Sequence, residues 1–196
     1  MAGVAGIILA AGLSRRFSGN KLRASFQGET VLCRVVTAAL ASNLSRVIVV
    51  LGHQAAELRA MLSGLSLDIV INERFVEGQS SSIKTGIAAL DDDCKAAMFL
   101  AADQPLMTPD IINALIDGYF AEDMPICHPM VGGKRRNPAI FDRSLFPDLM
   151  ALAGDEGGRK VIDTHPGQAA MLEFQDFRPF ADVDTMDDLK ALENAL

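Results

Sequence analysis

Four basic residues, Arg15, Arg16, Lys21 and Arg23, fall within the first 28 positions, where no acid occurs. The whole chain carries 18 − 25 = −7 formal charges, so the remainder stands at 14 − 25 = −11. A basic loop on an acidic body suits local recognition of a small polyanion and argues against general nucleic-acid binding. A second chemical feature is Asp103, which ends the apolar run "MFLAA" and stands two residues before Pro105. An acid at the tip of a buried strand is costly unless it is paired, exposed or bound to a cation. It could also cap a following helix, although Thr108 is better placed for that. Near the C-terminus, "DVDTMDDL" (182–189) offers further carboxylates. Thr185 and Asp188 read as a capping box, which leaves Asp182 and Asp184 unexplained. The helix-opening segment "EGQSSSIKTGI" (77–87) brings Ser80, Ser81 and Ser82 after Gly78, and its free N–H groups favour anionic or carbonyl oxygens.

Two familiar phosphate loops fail on spacing. A dinucleotide fingerprint needs G-x-G-x-x-G, but Gly12 is followed by no glycine until Gly19. A P-loop needs G-x-x-x-x-G-K-[ST]; here six residues separate the two glycines, and Asn20, Lys21 and Leu22 follow, without the hydroxyl that would hold a metal. The remaining reading is a longer cradle. Ala10, Ala11 and Gly12 let the backbone approach a base or phosphate, their amides donate as in an anion nest, and Arg16 and Lys21 add mobile charge over a triphosphate. The alternative is a solvated basic loop with no ligand.

These residues need elements to position them. "VAGIIL" (4–9), "RVIVVLG" (46–52), "LDIVI" (67–71) and "AAMFLAA" (96–102) read as buried strands. Helical spacing occupies Thr30–Asn43, Gln54–Leu62, Ser81–Leu90 and Asp110–Phe120, the last with Pro109 at a favourable helix start. This β-α-β-α order predicts parallel strands with right-handed crossovers, hence an α/β fold with a doubly wound, mostly parallel, Rossmann-like sheet. Ligands of such sheets bind at the carboxyl ends of the strands, here the loops 10–29, 52–54, 72–80 and 103–109. Beyond residue 120 the pattern weakens. "MPICHPM" and "NPAIF" are expected as strands around the turn "VGGKRR", with helices near 143–153, 157–164 and 186–195. One domain over residues 1–196 is the simplest organisation.

Composition sets the remaining bounds. About half the residues are hydrophobic and about a fifth charged, a globular balance. The apolar runs are shorter than the about 20 residues that span a bilayer, and the start lacks the basic flank of a secretory signal; a cytoplasmic protein with no membrane partner is expected. Cys33, Cys94 and Cys127 are scattered, odd in number and without metal-ligand spacing, so buried reduced thiols are expected. His53, His128 and His165 are equally scattered, and no Ser–His or Cys–His nucleophile pair is evident.

"LAAGLSRRFSGNKL" (9–22) resembles the signature L-A-[AG]-G-x-S-x-R-[MF]-G-x-x-K of the nucleotidyltransferases that attach CMP or GMP to molybdopterin. The match covers Leu9, Ala10, Ala11, Gly12, Ser14, Arg16, Phe17 and Lys21; Ser18 stands where that family usually has glycine, and Gly19 follows. "EGQSSSIKTGI", "AADQP", "NPAIF", "GDEGGR" and "DVDTMDDL" continue the resemblance in order along almost the whole chain. It implies the fold of the nucleotide-diphospho-sugar transferases, with residues 1–120 mainly serving the nucleotide and 121–196 mainly the acceptor. The nucleotide would meet Leu9, Ala10, Ala11, Gly12, Ser14, Arg16, Lys21, Gly78, Ser80, Ser81, Ser82 and Asp103. Asp103 and Asp184, with Asp182 as the near alternative, would hold Mg2+, and Arg16, Lys21 and Asp103 would be catalytic. On the acceptor side the resemblance implies Lys134, Arg135, Arg136, Asn137 and Arg159, although the family often has glycine where Arg136 stands, leaving its role open. Alanine at position 11 tends in that family to go with cytidine nucleotides.

The expected reaction is transfer of CMP from CTP to the phosphate of molybdopterin, with pyrophosphate released and the product passed to a molybdoenzyme or its chaperone. Three alternatives stand beside it: GTP as donor, a sugar or polyol phosphate as acceptor, and a non-catalytic carrier of the molybdenum cofactor.

Overall fold

The computed structural model describes residues 3–17 and 19–195; Ser18, the departure from the signature, lies outside the described residues. The chain runs β1 (Val4–Ala10), β2 (Ser25–Phe26), β3 (Glu29–Thr30), α1 (Val31–Leu40), β4 (Arg46–Leu51), α2 (Ala55–Met61), β5 (Asp68–Ile71), α3 (Gln79–Ala88), β6 (Ala96–Ala101) and α4 (Pro109–Glu122). It continues through β7 (Ile126–Val131), β8 (Lys134–Arg135), β9 (Ala139–Asp142), α5 (Phe146–Ala151), α6 (Gly158–Thr164), β10 (Ala169–Glu173) and α7 (Met186–Asn194). The main sheet has the order β10-β7-β9-β6-β1-β4-β5, with β8 paired to β7.

β4, β5 and β6 run parallel to β1 within one half of the sheet. β1 sits at its centre, and consecutive crossovers lead outward in opposite directions from it. The gap between the loops after β1 and β6 is therefore a topological switch point, where open α/β sheets leave a crevice. The other half departs from the simple pattern: β9 is antiparallel to both β6 and β7, and β7 carries the hairpin to β8 on Gly132 and Gly133. The fold is thus α/β with a mostly parallel sheet.

Strand alternation explains the two cores. Val4, Ile8 and Ala10 face one side, where α1, α4 and α7 contribute Val35, Leu115 and Leu189. Ile7 faces the other, against Ile83 of α3 and Phe99, Phe141 and Val161. Local chemistry sets the helix starts. Thr30 accepts from Cys33 N at α1, Thr108 accepts from Ile111 N with Pro109 in the first turn of α4, and Thr185 and Asp188 form the expected capping box at α7.

Boundaries moved by a few residues. The first helix is shorter than Thr30–Asn43, and α3 begins at Gln79 rather than Ser81. The expected helix near 143–153 is a short 3-10 turn over Arg143–Leu145 followed by α5. β10 was not anticipated: "AAMLE" is short, mixed in polarity and half-buried at a sheet edge, so it carries no apolar run. Cys94 and Cys127 are buried, Cys33 is half-buried and all three thiols are free; burial pushes the Cys127 thiol up to about 12.

Candidate active site

The basic loop after β1 is built, not loose. Phe17 is buried in the larger core and its N–H donates to the Ser14 carbonyl at 3.0 Å. Asn20 is buried beneath the loop: its Oδ1 accepts from Leu22 N at 3.0 Å, and its Nδ2 donates to Gln54 Oε1 at 3.0 Å. Ser14 takes the left-handed conformation, with φ 50°, and its Oγ accepts from Lys21 N at 3.4 Å. Together these contacts aim Lys21 inward.

Lys21 Nζ lies 2.5 Å from Asp103 Oδ2 and 2.9 Å from Asp184 Oδ1, and Arg16 Nη2 lies 2.8 Å from Asp184 Oδ2. Lys21 and Asp103 side chains are 16% and 19% exposed, whereas the Arg16 side chain is 72% exposed. Burial disfavours the Lys21 ammonium, but Asp103 and Asp184 outweigh it and hold its pKa above the ordinary lysine value. The charge expected to be mobile over a ligand is thus latched to two carboxylates at Lys21 and reaches solvent only at Arg16.

Asp103 emerges from the C-terminal end of β6, and its carbonyl accepts from Val183 N at 2.9 Å, which ties the segment before α7 to the crevice. Asp182 stands beside it, oriented by Gln104 Nε2 at 2.9 Å. Burial and the neighbouring Asp103 charge push the Asp182 carboxyl up to about 6. Asp103 and Asp184 converge on one cation position. Their all-oxygen donor set suits a hard divalent ion, which takes few protein carboxylates and completes its shell with water and phosphate oxygens. Among the described residues no cluster of three or more His, Cys, Asp or Glu is assembled for a metal.

A cavity of about 810 Å³ opens from Asp103 and Asp182 across the sheet. Leu9, Ile83, Phe99 and Phe141 supply its apolar floor, and Lys134, Arg135, Arg136, Asn137 and Arg159 line it as well. All five residues expected on the acceptor side therefore meet around one space. Arg135 Nη1 is bound to Asp163 at 2.6 Å, which joins the β7–β8 hairpin to α6.

The other positions expected on the nucleotide side differ in exposure. Ala10 and Ala11 are buried, and Ala11 Cβ is turned toward Gly52, where an added Cβ would come within 2.8 Å of it. Gly12 is exposed, with open space beside its Cα. Ser80, Ser81 and Ser82 are buried; Asn72 Nδ2 donates to Ser81 Oγ at 2.8 Å and to Ser82 Oγ at 3.0 Å, and Ser81 Oγ donates to the Gly78 carbonyl. Gly78, with φ 102°, packs on Gly154, and it is Gln79 that reaches the cavity. Asn20, Asn72 and Gln104 are the site-building residues the sequence reading passed over. Asn20 alone had a signal, as the residue before a short helical turn.

A carboxylate pair facing basic residues at the switch point of such a sheet defines a nucleotidyltransferase-like site. Residues 6–170 match the MobA-like NTP transferase domain, and the chain belongs to this family of nucleotidyltransferases. It is 28% identical to the purine catabolism protein PucB of Bacillus subtilis over 97% of this chain and 96% of that protein. It is 29% identical to a probable molybdenum cofactor guanylyltransferase of Chloroflexus aggregans over 97% and 93% of the two chains. Among solved structures, Rv0371c of Mycobacterium tuberculosis superposes with a TM-score of 0.86 at 25% identity, covering 99% of this chain and 100% of that one. A further structure of Rv0371c is a complex with manganese.

Proposed function

We infer that the chain transfers CMP from CTP to the phosphate of molybdopterin and releases pyrophosphate, with Mg2+ at Asp103 and Asp184. The observation that carries this reading is the Lys21 ammonium bridging those two carboxylates at the mouth of a cavity whose lining is basic. The loop after β1, through Leu9, Ala10, Ala11, Gly12, Ser14, Arg16 and Lys21, receives the triphosphate. Gly78 and Ser80–Ser82 at α3 complete the nucleotide side, so residues 1–120 serve mainly the donor and 121–196 mainly the acceptor.

The chemistry follows from charge. An oxygen of the acceptor phosphate forms a bond to the α-phosphorus as the bond to the bridging oxygen breaks, and that oxygen departs with pyrophosphate. The acceptor is already ionised, so no general base or protein nucleophile is required. Mg2+, when bound, neutralises phosphate charge and holds donor and acceptor in line. As nucleotide arrives, Lys21 and Arg16 exchange carboxylate for phosphate oxygens and stabilise the charge that builds on the α-phosphate and leaving pyrophosphate. Lys134, Arg135, Arg136, Asn137 and Arg159 receive the acceptor. The matched family and the name of the Chloroflexus relative support the acceptor class; for cytidine the support is the resemblance alone, in which alanine at the position of Ala11 goes with cytidine nucleotides.

Pyrophosphate release measured with each triphosphate, with and without molybdopterin, tests the reading. The expected result is release that requires CTP, a divalent ion and molybdopterin together. Preference for GTP, which the guanylyltransferase relative favours, would change the donor. Turnover with sugar or polyol phosphates instead of molybdopterin would change the acceptor. Tight cofactor binding without release from any triphosphate would make the chain a carrier.

A further inference from the structure

The four cations lining the cavity are not equivalent. Arg135 is committed to one oxygen of Asp163 and Arg159 Nε leans on the other at 3.9 Å, so one acid serves both. Arg136 is held differently. Its backbone N–H donates to the Pro129 carbonyl at 3.0 Å, one step beyond the β7–β8 pairing of Met130 with Arg135, which fixes its Cα at the cavity. Its Nε is buried and has no hydrogen-bond partner among the described residues. A guanidinium cannot lose its charge to relieve this, and native proteins leave few buried donors unpaired.

Register places Arg136 at the reactive end of the cavity. β9 is antiparallel to β6, with Ala139 opposite Phe99, so the chain preceding Ala139 leads in the direction of Asp103. An incoming phosphate there meets Asp103 and Asp182, two acids on the same cavity. It therefore needs a cation that is not already neutralised; Lys134 and Arg136 both lack an ion-pair partner among the described residues, and of the two Lys134 is exposed whereas Arg136 carries the buried, unpaired Nε. Resting on the nucleotidyl-transfer reading above, the geometry points to Arg136 as the residue that holds the acceptor's phosphate, through its Nε–H, in the position from which it attacks.

The Arg136 Nε–H resonance, assigned by its loss in Arg136→Lys, reports this contact directly. It is expected to shift on titration with molybdopterin and with inorganic phosphate alone. In steady-state turnover, Arg136→Met is expected to lower kcat/KM for the acceptor by about 10- to 100-fold, with the triphosphate KM unchanged and part of the loss recovered in Arg136→Lys. The free Arg136→Met protein should melt at or above the wild-type temperature, because an unpaired buried donor has been removed. A resonance that moves with neither probe, or acceptor kinetics unchanged in Arg136→Met, overturns the assignment. If molybdopterin supports no turnover, the nucleotidyl-transfer reading fails on its acceptor. The phosphate titration then decides Arg136 alone: a shifted Nε–H upholds the anion contact and an unshifted one removes it.

Discussion

Lys21 is the hinge of the proposed chemistry because it is shared. One ammonium satisfies two carboxylates in the free protein, so it occupies the position that a divalent ion would take between Asp103 and Asp184. Replacement by alanine removes the donor that the proposed reaction turns to the phosphates and is expected to lower turnover by roughly 10²–10³, checked by pyrophosphate release at saturating CTP and magnesium. The same change removes the cation between Asp103 and Asp184 and leaves Arg16 on the outer oxygen of Asp184. Lys21→Ala should therefore bind Mn2+ alone more tightly than the wild type while binding CTP more weakly, two opposite shifts readable by calorimetry. Equal Mn2+ affinity in the two proteins would show that the lysine does not compete for the site. The contact partners lie 82 and 163 positions away in sequence, so spacing alone could not reveal them; only the resemblance brought the three residues together. Arg16 and Lys21 were visible through the absence of acids around them. Asn72 was not, since a lone asparagine carries no period and no charge, and Asn20 had only its place before a short helical turn.

At the scale of elements, the parallel half was legible because β1, β4, β5 and β6 are short apolar runs bounded by turn residues, and the crossover rule then fixes the hand of their connections. The second half was read only in part, since β8 and β10 are short edge or hairpin pieces whose pairing depends on β7. At the start of α3 the three serines are engaged within the protein. Asn72 binds Ser81 and Ser82, and Ser80 N donates to the Gly154 carbonyl at 3.1 Å, so local architecture uses these groups first. Gly78 permits that packing. A Cβ there would lie 2.4 Å from the Gly154 carbonyl, at a φ of 102°. Gly78→Ala is expected to destabilise the fold by about 1–3 kcal/mol, read as a fall in the chemical denaturation midpoint. A midpoint equal to that of the wild type would mean that α3 and the Gly154 turn separate without cost.

Across the whole molecule, two buried groups titrate with opposite effects on stability. His128, buried in β7 on the same face as Ile126 and Met130, has its pKa lowered below 6.5 by burial, which outweighs the opposing contact with the Pro129 carbonyl and is aided by Arg135. The unfolded chain then binds more protons than the folded one below pH 6.5, so this contribution is present above 6.5 and is lost as pH falls. The slope has a ceiling of about 1.4 kcal/mol per pH unit for one proton. Asp182 acts with the opposite sign, because a carboxyl raised to about 6 favours the folded state as pH falls. Comparing wild type with His128→Gln at pH 7.5 and 5.5 cancels the Asp182 share. The wild type should lose more stability across that interval, and identical losses would remove His128 from the account. Among the described residues no helix is long and apolar enough to cross a membrane.

The loop after β1 and the carboxylates after β6 and before α7 meet at the switch point of the sheet, and the proposed reaction depends on that meeting. Calorimetric titration of CTP into the wild-type protein, with and without Mg2+, tests it most directly. The account predicts measurable CTP binding that Mg2+ strengthens at least tenfold, an effect abolished in Asp103→Asn. CTP and GTP binding that is undetectable in the presence of Mg2+, or binding indifferent to both the ion and Asp103, would contradict it.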